Sequence, residues 1–288
     1  MPAAETHRSA PGAAARSPPR RRLVGTSLKM YFDYAKTQTY VRDLVALSQR
    51  HAHFPILDAS GRQALDIFVI PDFVSIVPMT EQLQKSTTDF WPGAQDTFDE
   101  DAGAFTGEVS PRTLAQVGCR IVEIGHAERR RQFGETDAWV ARKAAAVVRN
   151  GMSPLVCIGE LTRTSDTELA VDECWAQVQG VLGAVEPTAE VVLAYEPVWA
   201  IGQKEPASAE HIVHVTRALR SRCLAECAGR PDASLRILYG GSAGPHLYEK
   251  IYEGVDGLFL GRFAHDPAVF LDTVLEVYGA GRRVGAGG

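Results

Sequence analysis

Short apolar runs and longer amphipathic stretches alternate along this chain. The runs are Arg22–Leu28, Asp66–Ile70, Phe90–Ala94, Ile121–Gly125, Ser153–Ile158, Val191–Glu196, Leu235–Tyr239 and Gly257–Gly261. Most lack polar alternation, the pattern of strands covered on both faces of a parallel sheet. Between them, Tyr40, Val41, Leu44, Val45 and Leu47 fall on one helical stripe. Ala138, Val140, Ala141, Ala144, Ala145 and Val148 fall on another, closed by Asn150-Gly151. Segments 210–227 and 267–277 read as later helices of the same kind. Eight strands alternating with helices allow a closed barrel or an open doubly wound sheet. No G-x-G-x-x-G follows the first run, so the dinucleotide-binding sheet loses its main support. The pattern predicts a single (β/α)₈ barrel.

Length and charge narrow the picture without redirecting it. The chain has 288 residues, 45% hydrophobic and 23% charged, enough for one such barrel of roughly 250 residues. A net charge of −5 argues against a nucleic-acid partner, which would require a basic stripe. No apolar run approaches the roughly 18–20 residues of a membrane span, so no membrane association is expected. The five scattered cysteines form no C-x-x-C pair, and are expected to be buried thiols in a reducing cytoplasm without a metal. Residues 1–22 are rich in Pro, Ala and Arg and carry no signal-peptide core. They are expected to form a disordered extension, leaving 23–288 as the barrel.

Barrel chemistry resides at the C-terminal ends of the strands, so the residues just after each run are the candidates. Lys29 follows the first run; elsewhere it would be an ordinary surface lysine, but here it offers a fixed cation to an anionic substrate. His126 follows the fourth and opens a short helix, whose N-terminal dipole is expected to lower its pKa. Glu196 ends the sixth run and is followed at once by the apolar Pro197-Val198-Trp199, the setting of a base that is desolvated when a lid closes. Gly240-Gly241-Ser242 and Gly261-Arg262 follow the last two runs, and glycines there allow a phosphate to approach the backbone. The polar insert 95–107 is long for a compact barrel and is expected to be functional or interfacial.

Together these segments resemble the triosephosphate isomerase family from about residue 22 onward. The most specific are Gly125-His126-Ala127-Glu128-Arg129-Arg130 and 194–202, Ala-Tyr-Glu-Pro-Val-Trp-Ala-Ile-Gly. The resemblance implies Glu196 as proton-transferring base, His126 as electrophile, Lys29 as cation beside the substrate and Glu128 as supporting carboxylate. It implies a lid over 197–207 and a phosphate held at Gly202, Ser242 and Gly261, with Ser27 lining the substrate. No cofactor is implied. The loop 103–108 is similar to one that enters a neighbouring subunit in the family, which implies a homodimer with Thr106 and Glu108 at its interface.

The chain departs from the family pattern at Ser27, where Asn is usual, and at Leu28, where Trp is usual. It departs also at Gln203-Lys204-Glu205-Pro206 in the lid, and at Arg262-Phe263 beside the phosphate loop. Proton transfer through an enediol is implied either way. Interconversion of dihydroxyacetone phosphate and glyceraldehyde 3-phosphate is the family default. The departures also match paralogues that isomerise four-carbon ketose phosphates, with Ser before the Lys, an altered lid and Gly-Arg at the phosphate loop. A third possibility is a barrel that binds a phosphorylated ligand without turnover; intact His126 and Glu196 oppose it.

Overall fold

A computed structural model describes residues 20–58, 60–164, 166–203 and 205–285, with only the backbone described for 281–285. Eight parallel strands close into a barrel in sequence order: β1 (Arg22–Ser27), β2 (Leu65–Ile70), β3 (Phe90–Ala94), β4 (Ile121–Ile124), β5 (Ser153–Ile158), β6 (Val191–Tyr195), β7 (Leu235–Tyr239) and β8 (Gly257–Leu260). The pairing of β8 with β1, Leu23 opposite Gly257 and Thr26 opposite Leu260, completes the circle. Around it, among the described residues, run α1 (Tyr34–Arg50), α2 (Ile76–Leu83), α3 (Pro111–Gln116), α4 (Ala127–Phe133), α5 (Asp137–Arg149), α6 (Thr167–Ala184), α7 (Ala209–Glu226), α8 (Tyr248–Ile251) and α9 (Pro267–Gly285). The predicted runs match the strands to within a residue or so at each end.

The uninterrupted apolarity of the strands has a direct cause. Leu23, Phe68, Ile121, Leu155, Val192, Leu238 and Phe259 fill the barrel interior, and their outward neighbours pack against the helices. Both faces are therefore dry, and burial of each large apolar side chain contributes about 1.5–3 kcal/mol. Interior space is rationed by glycine: a Cβ on Gly25 would lie 2.3 Å from the Phe68 ring.

The expected boundary of the N-terminal extension needs correction. Arg20 pairs with Asp232 and, at 2.7 Å, with Asp256; Arg21 pairs with Asp66 at 2.8 Å; Arg22 begins β1. These three arginines belong to the fold: carboxylates at the N-terminal mouth of the barrel hold Arg20 and Arg21, and Arg22 pairs in β1 and donates to the Val277 carbonyl at 3.0 Å. Residues 1–19 lie outside the described residues. A cavity of about 780 Å³ opens at this mouth, with guanidinium groups engaged in ion pairs: Arg236 with Asp66 at 2.6 Å and with Glu190 at 2.7 Å. No helix among the described residues is long and apolar enough to cross a membrane.

Candidate active site

Lys29, His126 and Glu196 converge at the opposite mouth. Lys29 stands two residues beyond β1 with φ +48°, a left-handed conformation that costs a non-glycine residue roughly 1–2 kcal/mol. Its neighbours hold it there. The Leu28 N–H bonds the Ile70 carbonyl at 2.9 Å, and Gln95 Nε2 donates to the Lys29 carbonyl at 2.8 Å. The ammonium then donates to Glu128 Oε1 at 2.8 Å and lies 3.3 Å from His126 Nε2. Burial opposes the charge of Lys29, but Glu128 and Glu196 outweigh it and raise its pKa. Glu128, partly buried yet bonded to Lys29, is held below the ordinary carboxylate range.

Gly125, at φ +69°, turns the chain from β4 into α4 and makes His126 the helix N-cap. The Glu128 N–H donates to His126 Nδ1 at 3.1 Å, a bond that requires the Nδ1 lone pair and so leaves the ring proton on Nε2. Nε2 points at Glu196 Oε2, 3.4 Å away. The expectation of a lowered His126 pKa is overturned by that carboxylate. Burial does disfavour the imidazolium, but Glu196 and Glu123 more than offset it and the pKa rises. The helix terminus was legible in the chain; the opposing carboxylate came from a distant strand.

Glu196 directly follows β6 and is buried, its N–H bonded to the Ile158 carbonyl at 2.7 Å. A Cβ on Gly240 would fall 2.2 Å from Glu196 Oε1, so glycine after β7 gives the carboxylate its space. The segment 197–207, expected to be the lid, begins here. Trp199 Nε1 donates to Glu160 Oε1 at 3.0 Å; Glu160 is fully buried and also accepts from the Tyr195 hydroxyl at 3.1 Å. Ser242 Oγ donates to the carbonyls of Ala200 at 3.0 Å and Gln203 at 2.8 Å. Arg262 Nη2 reaches the Gly202 carbonyl at 3.5 Å, and the Ala207 N–H donates to the Tyr239 hydroxyl at 3.0 Å. Gly202, Ser242, Gly261 and Arg262 are thus gathered where the lid meets the loops after β7 and β8. Lys204 lies outside the described residues.

Ser27, at the inward end of β1, is buried and its hydroxyl closes no well-formed hydrogen bond. A cavity of about 450 Å³ is lined by Ser27, Lys29, Gln95, Glu123, His126 and Glu128. A second, of about 560 Å³, extends beneath the lid past Glu128, Cys157, Glu196 and Ile201. Glu123, inside β4, was not among the sequence candidates. Its signal was a carboxylate interrupting the apolar run Ile121-Val122-Glu123-Ile124. Thr106 and Glu108 are not brought to this site within the chain; they occupy the exposed tip of the loop after β3. The base of that loop is fastened by Phe98 N–H to the Val109 carbonyl at 2.9 Å and by Arg142 to Asp99 at 2.6 Å. Among the described residues no group of three or more His, Cys, Asp and Glu could hold a metal ion.

A carboxylate facing an imidazole N–H beside a fixed ammonium can move a proton next to a carbonyl and stabilise the enediolate that forms. The family model described as triosephosphate isomerase matches residues 22–277. The chain belongs to the triosephosphate isomerase family. It is a sugar-phosphate isomerase of that family. Its relatives include L-erythrulose-1-phosphate isomerase of Pectobacterium atrosepticum, 45% identical over 262 residues, covering 90% of this chain and 96% of the relative. The protein of the same name from Rhizobium meliloti is 38% identical over 261 residues, covering 88% and 96%. Triosephosphate isomerase of Chloroflexus aurantiacus is 38% identical over 257 residues, covering 88% and 97%.

Proposed function

We propose that this isomerase interconverts L-erythrulose 1-phosphate and D-erythrulose 4-phosphate. The observation that carries the choice is the 45% identity to an L-erythrulose-1-phosphate isomerase, against 38% to a triosephosphate isomerase. The departures at Ser27, Leu28 and Arg262 support it, since they change the walls of the site and spare Lys29, His126 and Glu196. The triose reaction, the family default, needs the same three groups and is the second reading.

In the proposed reaction Glu196 removes the proton on C3, and the electron pair shifts to give a C2–C3 enediolate. His126 Nε2–H hydrogen-bonds the C2 oxygen as it gains charge, and the hydroxyl proton of O3 passes to O2 through the imidazole. Glu196 returns its proton to C2, leaving the carbonyl at C3. Lys29 stabilises the developing negative charge, and Glu128 holds Lys29 in place. No net oxidation occurs and no cofactor is needed. The phosphate is held by backbone N–H groups near Gly202, Ser242 and Gly261, with Arg262 as an added cation. The lid keeps water from the enediolate.

The deciding test is kcat/KM of the purified protein on both substrates in parallel coupled assays. The tetrulose phosphate is expected to be favoured by about tenfold or more. Poor tetrulose turnover beside efficient triose turnover would return the protein to the second reading. Replacing Arg262 by Gly is expected to raise KM for the true substrate about 3- to 10-fold by removing a charge-assisted contact to phosphate; an unchanged KM would remove Arg262 from the cradle.

The assembly is proposed to be a homodimer in a cytoplasmic setting. Its support is the exposed apolar surface flanking Lys29, with Met30 92% and Val74 76% exposed, and the stapled, protruding loop bearing Thr106 and Glu108.

A further inference from the structure

Glu123 raises a question that the proton-transfer machinery does not answer. It lies on β4, two residues from the interior-facing Ile121, and so points into the barrel at its catalytic mouth. It is 3% exposed. A buried carboxylate normally has an ion-pair partner or several donors. Among the described residues Glu123 has no ion pair within 4.0 Å, and its side-chain contacts are the neighbouring Ser27 hydroxyl and the weak donor Cys157 Sγ at 3.9 Å. Burial pushes its carboxyl above the ordinary range, although His126 and Ser27 pull the other way. Beside it the Ser27 hydroxyl, also 3% exposed, faces this carboxylate without closing a well-formed hydrogen bond to it. Both line the cavity that holds Lys29 and His126. Two deeply buried polar groups, under-satisfied and facing one cavity, fit a ligand with a hydroxyl.

The position of that hydroxyl follows from the substrate's length. The lid and the loops after β6, β7 and β8 gather at one side of the site, where the phosphate is proposed to bind. Glu196 and His126 mark the reacting carbons. Ser27 on β1 and Glu123 on β4 share with Lys29 and His126 a cavity that none of the lid residues, Ser242, Gly261 or Arg262 lines. A triose phosphate ends at its reacting carbon, whereas L-erythrulose 1-phosphate continues by one hydroxymethyl group, C4. We infer that Glu123 and Ser27 form the subsite for this terminal hydroxymethyl group, with Glu123 as the residue that sets four-carbon against three-carbon substrates. This rests on the tetrulose reading of the preceding subsection. Glu123 bonds the C4 hydroxyl while Ser27, smaller than an amide, leaves room for the carbon.

The test is kcat/KM of wild type, Glu123→Gln and Glu123→Leu on L-erythrulose 1-phosphate and on glyceraldehyde 3-phosphate. Inhibition by 2-phosphoglycolate, a two-carbon mimic that does not reach C4, serves as the control for an intact site. Glu123→Leu is expected to lower the tetrulose-to-triose ratio of kcat/KM by about 30-fold or more, since it removes the polar partner of a buried hydroxyl. Glu123→Gln, which keeps an amide able to bond a hydroxyl, is expected to fall between the two. The inhibition constant for 2-phosphoglycolate should stay within about threefold of wild type in both variants. Equal losses on both substrates, or a weakened inhibitor, would overturn the subsite and make Glu123 a group that positions or balances Lys29 and His126. Wild type that turns over the triose and not the tetrulose would remove the substrate reading itself, and the subsite with it. A ratio lost only in the variants isolates the role of Glu123.

Discussion

Glu196→Asp is expected to lower kcat by about 100- to 1,000-fold while leaving the folded protein as stable as wild type. Shortening the side chain by one methylene withdraws the carboxylate from a carbon it must touch, and proton transfer falls steeply with such a displacement. Nothing nearby is free to restore the distance. The Glu196 N–H is fixed to the Ile158 carbonyl at 2.7 Å, and Gly159 lies so close that a Cβ there would fall 2.0 Å from the Glu196 carbonyl oxygen. The backbone therefore cannot advance to compensate. KM should change little, because phosphate binding is proposed to lie with the lid and the loops after β7 and β8. Stability should also be spared: the side chain ends at a cavity and is not packed among core residues. Steady-state kinetics with thermal unfolding of the same samples checks both halves. A kcat within about tenfold of wild type would mean that another group takes the proton.

Most of the barrel was legible in the chain, for a physical reason. Strands dry on both faces need runs of apolar residues, and eight such runs in series admit few architectures. Helices were legible where one stripe was strong, as in α1 and α5. They were not where the signal was diluted. Pro78 lies within α2, α3 is a single turn or so, and α6 spreads glycine and small residues around its circumference. The catalytic mouth was legible because candidate residues follow strands at fixed places. Its electrostatics were not, since the pKa of His126 depends on Glu196 arriving from β6. Charged residues set inside apolar patterns were the signal left unused. Glu123 interrupts β4, Asp66 and Arg236 interrupt β2 and β7, and Lys143 sits on the buried face of α5 beside Val140, Ala144 and Val147. Each is buried and tied to a partner or a cavity that only the closed barrel supplies.

Lys143 shows how large that hidden contribution is. Lys143→Met is expected to destabilise the protein by about 3–5 kcal/mol, the cost of removing one member of a buried ion cluster. The ammonium is 1% exposed and bridges Asp96, at 2.7 Å, to Glu135, whose side chain is fully buried. Burial, together with the neighbouring Glu135 carboxylate, holds the Asp96 carboxyl above its ordinary range, even with Lys143 against it. Without the ammonium, two carboxylates would share a dry pocket with Arg129 alone, which pairs with Asp96 at 2.7 Å and stands 3.6 Å from Glu135. The damage should also reach the site. Glu135 Oε2 accepts from the Gly125 N–H at 3.0 Å, and Gly125 is the turn that aims His126 at Glu196. Two readouts follow. The melting temperature should fall by roughly 10 °C, given about 2–4 °C per kcal/mol for a chain of this size class. At temperatures where the variant stays folded, kcat should fall further than KM changes, because His126 loses its fixed orientation while the phosphate loops keep theirs. A melting temperature within about 2 °C of wild type would show that the cluster is no more than a replaceable polar contact. A large loss of stability with kcat intact would confine it to the scaffold and detach it from the aiming of His126.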